Sequence, residues 1–131
     1  MMSIHQEVFF DANPDRVYEA LTDSSQFSKV TGGAATEISS HAGGAFSCFD
    51  GKVTGMIVEL EPHRRIVQAW RSSDWHAGVY SIVKIELLQQ GQSTLLTFDQ
   101  TGFPEGTGED LEAGWKANYW IPLEKFLAPA L

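Results

Sequence analysis

The chain has 131 residues, 43% of them hydrophobic and 20% charged, an ordinary globular composition long enough for one domain spanning 1–131. A chain of this size buries ~65–70% of the surface it exposes when unfolded. Nine Lys and Arg against seventeen Asp and Glu give a net charge of −8, a field that repels phosphate backbones and anionic bilayers and excludes nucleic acid and membrane as expected partners.

In chain order, Ile4 to Phe10 alternates Ile4, Gln6, Val8 and Phe10 against Ser3, His5, Glu7 and Phe9, the pattern of a first strand. Asn13-Pro14-Asp15 opens a helix, with Asn13 as N-cap, Pro14 at the first helical position and Asp15 complementing the dipole. Val17, Tyr18, Ala20 and Leu21 form its apolar stripe. Asp23-Ser24-Ser25 caps a second, short helix that carries Phe27 and Val30 and ends at Gly32-Gly33. Ala35 to Ser40 reads as a weak strand.

Gly43 to Arg71 then reads as three strands joined by tight turns. Asp50-Gly51 signals a two-residue type I′ hairpin, and Glu61-Pro62-His63-Arg64-Arg65 a second turn in which Pro62 breaks the ladder. Tyr80 to Leu88 and Ser93 to Thr101 are two further strands around Gln90-Gly91-Gln92, and Gly102-Phe103-Pro104-Glu105-Gly106 ends the sheet. From Glu109 onward runs the longest helix, with Leu111, Trp115, Tyr119 (or Asn118), Pro122 and Phe126 at spacings of three and four. Pro122 is expected to kink or restart it.

Each sheet or helix must bury one face. The order therefore implies an α+β architecture: a curved antiparallel sheet of six to seven strands wrapped around a long C-terminal helix, two short helices closing one end, and a cavity between sheet and helix. Gly51 and Gly55 are read as bend points in that wall. The single Cys48 has no internal disulfide partner and sits in a strand as a small buried hydrophobe. Met1 to Glu7 carries neither a basic leader nor an apolar run, and no stretch approaches a membrane span, so a cytoplasmic location is expected.

With these residues in this order, the chain resembles the START-like (SRPBCC, birch-pollen-allergen-like) helix-grip superfamily, in the branch named for the activator of heat-shock protein 90 ATPase. The resemblance is carried by Asn13-Pro14…Val17-Tyr18-Glu19-Ala20-Leu21-Thr22, Gly43-Gly44-Ala45-Phe46…Asp50-Gly51…Gly55 and Glu61-Pro62…Ile66-Val67…Trp70-Arg71. It continues through Thr94…Leu96…Phe98…Gln100-Thr101-Gly102-Phe103-Pro104 and Gly114-Trp115…Tyr119…Leu123, covering nearly the whole chain. The resemblance implies a hydrophobic cavity, used in various members for lipids, hormones or polyketides, or a chaperone contact in the eukaryotic activators, which match over their C-terminal domain.

The residues expected to line the cavity are Phe46, Val58, Trp70, Tyr80, Ile82, Phe98, Trp115 and Tyr119, holding a small hydrophobic molecule. Trp115 and Tyr119, one turn apart on the gripping face, are read either as plain core or as cavity lining in which Tyr119 offers a hydroxyl. Gly114 is expected to bring the helix backbone close to a strand. His63, Arg64 and Arg65 form the one dense basic cluster: a contact for an anionic head group or acidic partner, or a solvated turn. Trp75 either lids the cavity or packs as edge core.

The pattern holds no catalytic constellation. Asp74-Trp75-His76 looks like a carboxylate–imidazole pair in a loop, but neither faces a Ser or Cys with a catalytic signature. His5, His41, His63 and His76 are scattered without zinc spacing, and Gly43-Gly44 lacks a phosphate-binding motif, so neither metal nor cofactor is expected. Glu59 points either into the cavity, as a carboxylate with a raised pKa, or onto the wet convex face, which is the expectation. Its strand is apolar on both parities, which suggests an outer face covered by a second subunit, so monomer and homodimer both stand.

The leading expectation is a non-enzymatic ligand-binding domain. The alternatives are a co-chaperone-like module that stimulates a chaperone ATPase and a cyclase- or hydrolase-like enzyme working in the cavity.

Overall fold

A computed structural model describes residues 1–128. Among them, seven strands form one antiparallel sheet: β1 (Ser3–Phe10), β2 (Glu37–Ile38), β3 (Ala45–Cys48), β4 (Val53–Glu61), β5 (Arg65–Ser72), β6 (Ser81–Gln90) and β7 (Ser93–Thr101). Their spatial order is β1-β7-β6-β5-β4-β3-β2. The chain passes from one edge of the sheet to the other through α1 (Pro14–Thr22) and α2 (Ser24–Val30), and closes with α3 (Gly108–Trp115) and α4 (Ile121–Leu127). The architecture is the α+β one that the element order implied, and the helix-grip fold that the resemblance implied.

Local chemistry sets the helix starts as expected. Asn13 Oδ1 accepts from the Arg16 amide at 3.0 Å, and Asp23 Oδ2 from the Gln26 amide at 2.9 Å. Each cap is worth about 1 kcal/mol against Ala. Pro14 occupies the first turn, where its missing N–H costs nothing.

The inner face of the sheet is set by parity. Ile4 and Phe10 of β1, Ile66 and Trp70 of β5, Val83, Ile85 and Leu87 of β6, and Leu96 and Phe98 of β7 are all buried beneath the helices. On β4 the parity changes partway: Ile57 pairs with Gln68, but Glu59 pairs with Val67, so Val58 is the extra residue of a β-bulge. Ile57 is fully buried before the bulge and Leu60 packs against the core after it. The outer face carries exposed Phe9, Met56, Val58, Ile82 and Leu88 among charged side chains.

One turn and one strand differ from the sequence reading. β3 and β4 are joined by a four-residue loop closed by the Cys48–Val53 pair, not by a two-residue hairpin. Phe49, Asp50 and Gly51 all take left-handed φ (54, 58 and 86°), and Asp50 Oδ1 holds the loop by accepting from the Ala35 amide at 2.6 Å. Asp50 is thus tied to the segment before β2, which itself shortens to Glu37–Ile38.

The C-terminal helix restarts at Pro122 as expected: α-helical pairing stops at Trp115 and resumes in α4, with Pro122 in its first turn. The turn between them, Lys116–Trp120, is π-helical, so helical φ/ψ continue through Trp120 and Ile121. Proline lacks the N–H that would bond to Asn118, and its ring would crowd that carbonyl in an α-helix. A widened turn relieves both. It also brings Trp115 and Trp120 into a stack, centroids 5.5 Å apart and planes 25° from parallel, a pairing that five-residue spacing on an α-helix forbids.

Candidate functional site

The helix is fixed to the sheet by a chain of buried hydrogen bonds. Trp115 Nε1 donates to Gln100 Oε1 at 2.8 Å, Gln100 Nε2 to Ser81 Oγ at 2.9 Å, and Ser81 Oγ to the Trp70 carbonyl at 2.8 Å. Trp70 Nε1 then donates back across the core to the Tyr119 hydroxyl at 3.2 Å. Gln100 and Ser81 are completely buried, so each polar atom must find its partner inside the protein. Trp115 also lies on Phe98 (centroids 4.2 Å) and Tyr119 (3.9 Å), and Trp70 is tilted against Trp115 (5.4 Å). On the other side, Trp120 Nε1 donates to Gln6 Oε1, and Gln6 Nε2 donates to the Glu112 carbonyl.

Above this floor opens a cleft of about 570 Å³ between α3, the end of β5 and the β3–β4 loop, a size usual for small-molecule sites. Its aromatic lining is Phe49, Trp70, Trp75, Trp115 and Tyr119, and its polar lining includes Asp50, Lys52, Asp74, Asp110 and Asn118. Trp75 packs edge-on to Trp70 at 5.6 Å, held by the Arg71 guanidinium, which donates to the Trp75 carbonyl at 2.6 Å. A second void of about 20 Å³ lies deeper, against Cys48, Gln68 and Tyr119.

The titratable groups at the inner end are held neutral. Burial pushes the Cys48 thiol up to about 12. Burial raises the Tyr119 hydroxyl well above the usual phenol range, with the facing Cys48 adding to the shift and the Trp70 hydrogen bond opposing it. Tyr119 therefore serves the core as a hydrogen-bonding phenol, and Cys48 sits there as a buried thiol.

Of the eight residues expected in the cavity, the fold gathers five. Trp70, Trp115 and Tyr119 line the cleft, Phe46 lines the inner void, and Phe98 lies beneath Trp115. The other three are corrected. Val58, Tyr80 and Ile82 are 48, 49 and 47% exposed. Val58 is the bulge residue, Ile82 lies on the outer parity of β6, and Tyr80 precedes that strand and stacks under Arg71. A Cβ on Gly114 would meet only Asn118 Nδ2, at 3.7 Å, so no strand approaches it; its missing side chain instead leaves the cleft open. The close approach is at Gly55, where a Cβ would stand 1.8 Å from the Ala69 carbonyl oxygen and 2.7 Å from the Phe46 ring.

Trp75 joins the cleft, whereas His63, Arg64 and Arg65 do not. His63 meets Asp15 at 3.2 Å, Arg64 meets Glu61 at 3.1 Å, and Arg65 sits between Glu59 (2.8 Å, off the line of a hydrogen bond) and Glu86 (3.7 Å). Each member of the cluster thus faces a carboxylate. Glu59 stands on the exposed face, as expected. Asp74 bonds to the Ser72 hydroxyl, not to His76.

Sequence reasoning missed Gln100 and the acidic mouth. Gln100 shares the inward parity of Leu96 and Phe98, a polar residue where the alternation calls for an apolar one, and that was its signal. Asp50, Asp74 and Asp110 come from three separated segments with no shared motif.

The family model for activator of Hsp90 ATPase homolog 1-like protein matches residues 11–128. The chain belongs to that family. Curated relatives include activator of 90 kDa heat shock protein ATPase homolog 2 from Mus musculus (25% identical over 126 residues, 96% of this chain and 38% of the relative). Another is homolog 1 from Homo sapiens (27% over 111 residues, 85% and 32%). The Dictyostelium discoideum homolog is 33% identical over 110 residues, 83% of this chain and 28% of its own. The chain therefore spans about a third of the length of these relatives. Among solved structures, an HSP90 activator from Plasmodium falciparum superposes with a TM-score of 0.92 at 26% identity, covering 97% of this chain and 96% of that one.

Proposed function

We propose that this activator-family domain is a non-catalytic binding module whose cleft takes a small, largely apolar molecule. The observation that carries the reading is the 570 Å³ opening above a floor of interlocked aromatic rings. Glu59, the one carboxylate considered for cavity chemistry, stands on the opposite face of the sheet, and the inner thiol and phenol stay protonated at neutral pH.

Gly114 supplies the test. A Cβ there meets only Asn118 Nδ2, at 3.7 Å, and leucine improves helix propensity by ~1 kcal/mol, so Gly114→Leu is expected to fold and to place its side chain in the cleft. Saturation-transfer NMR with 1-methylnaphthalene is expected to show binding to the native chain and none to Gly114→Leu. Equal binding to both proteins, or to neither, refutes the reading.

A second reading has its own support: the match to a solved HSP90 activator runs end to end over both chains. It makes this domain a partner that raises a chaperone's ATP turnover. The check is a steady-state ATPase assay with the cognate 90 kDa chaperone, where no rise at saturating domain removes it.

A further inference from the structure

We infer that the cleft selects organic cations: an apolar body resting on the aromatic floor, with a protonated amine or quaternary ammonium at the mouth. The inference rests on the binding reading above and adds the charge class of the ligand.

Three carboxylates line the mouth, Asp50, Asp74 and Asp110, against one ammonium, Lys52. They converge from the β3–β4 loop, the loop after β5 and the first turn of α3. Asp110 has no hydrogen-bond or salt-bridge partner among the described residues, and Asp50 and Asp74 are bound only by neutral donors, the Ala35 amide and the Ser72 hydroxyl. None of the three is paired with a cationic side chain, Lys52 is the one ammonium in the lining, and Asp110 also complements the dipole of α3. A cleft with walls of one sign focuses the field, here on top of a net charge of −8.

Immediately inside that ring of charge stand Phe49 and Trp75, both partly exposed, and deeper lie Trp70 and Trp115. Ring faces attract cations and do nothing for anions. Carboxylates around an aromatic box are thus matched to one class of ligand, whereas an anionic amphiphile meets repulsion at the mouth and no cation within.

An independent feature marks the inner end as a place for a ligand. Tyr119 is 9% exposed, and its hydroxyl oxygen already accepts from Trp70 Nε1, yet the hydroxyl proton has no acceptor among the described residues. The cleft therefore ends on a hydroxyl already held by Trp70 and free to make one more hydrogen bond, not on a sealed apolar wall.

The test uses three probes of one shape on the full chain: 1-naphthylmethylammonium, neutral 1-methylnaphthalene and 1-naphthoate, titrated by calorimetry at 20 and 300 mM NaCl. The cation is expected to bind ~tenfold more tightly than the neutral probe at low salt, with 1-naphthoate weakest and the margin shrinking at high salt. Asp74→Asn/Asp110→Asn keeps the Ser72 contact and is expected to lower cation affinity ~fivefold, more than it lowers that of the neutral probe. Equal affinity for cation and neutral probe, with both lost in Gly114→Leu, overturns the cation inference and leaves the binding reading standing. Tighter binding of 1-naphthoate, or a double variant that binds the cation as the native chain does, also overturns it. No binding by any probe overturns both.

Discussion

Replacing Gln100 by leucine tests whether the helix is held by specific polar partners or by apolar packing alone. The substitution roughly conserves volume and is apolar, so a greasy interior would accept it. Its cost comes from what it abandons. Trp115 Nε1 loses its acceptor in a site where the indole is 2% exposed, and an orphaned buried donor costs about 1–3 kcal/mol. Ser81 loses one incoming bond but still donates to the Trp70 carbonyl, so its share is small. A net loss of ~2 kcal/mol is expected, and with an unfolding entropy of ~2.1 cal/mol/K per residue that lowers Tm by ~7 °C. Calorimetric melting of Gln100→Leu, Trp115→Phe and the double variant separates the hydrogen bond from the lost ring volume. Once Trp115 has no N–H, Gln100→Leu should cost ~1–2 kcal/mol less than it does in the native chain. A Gln100→Leu variant within ~0.5 kcal/mol of native, or strictly additive double-variant data, would refute the reasoning.

Three further outcomes are expected. Gly55→Ala drives a Cβ into the Ala69 carbonyl and the Phe46 ring, so the β4–β5 ladder must shift; a urea midpoint should report ~3 kcal/mol or more lost, and a neutral result would show the strands are free to part. His5 has its pKa raised above 6.5 by the Asp99 hydrogen bond first and that of Glu7 second. The stability it adds is complete below 6.5 and fades as pH rises through the raised value; NMR titration should find its midpoint above 6.5 and Asp99→Asn should lower it. Cys48, with its thiol pushed up to about 12, should resist iodoacetamide at pH 8 in the folded protein and react once guanidinium unfolds it.

Much of the fold was legible because its signals are local. Asn13-Pro14 and Asp23 cap helices by their own side chains, and the strict alternation in β1, β6 and β7 fixes which face is buried. β4 was legible only as a strand. It is apolar on both parities, and the bulge at Val58 exchanges inside for outside midway, a change that depends on pairing with β5 and leaves no mark on β4 itself. The cleft divides the same way. Trp115 and Tyr119 share a helix face, but the acidic mouth is a meeting of loops, and loops meet only in three dimensions. Gly114 shows the opposite failure: its helix cost was noticed, and the reason for it was open space rather than contact.

The π-helical turn before Pro122 has a consequence for how this chain can vary. The widened turn at Lys116–Trp120 takes up five residues where an ordinary turn takes up four, so removing one residue there would restore α-helical pairing and leave Leu123 and Leu127, both buried, facing the sheet. A residue gained or lost anywhere else along the helix would turn every later side chain by about 100°. The helix that floors the cleft therefore has slack for one residue, and only at this turn.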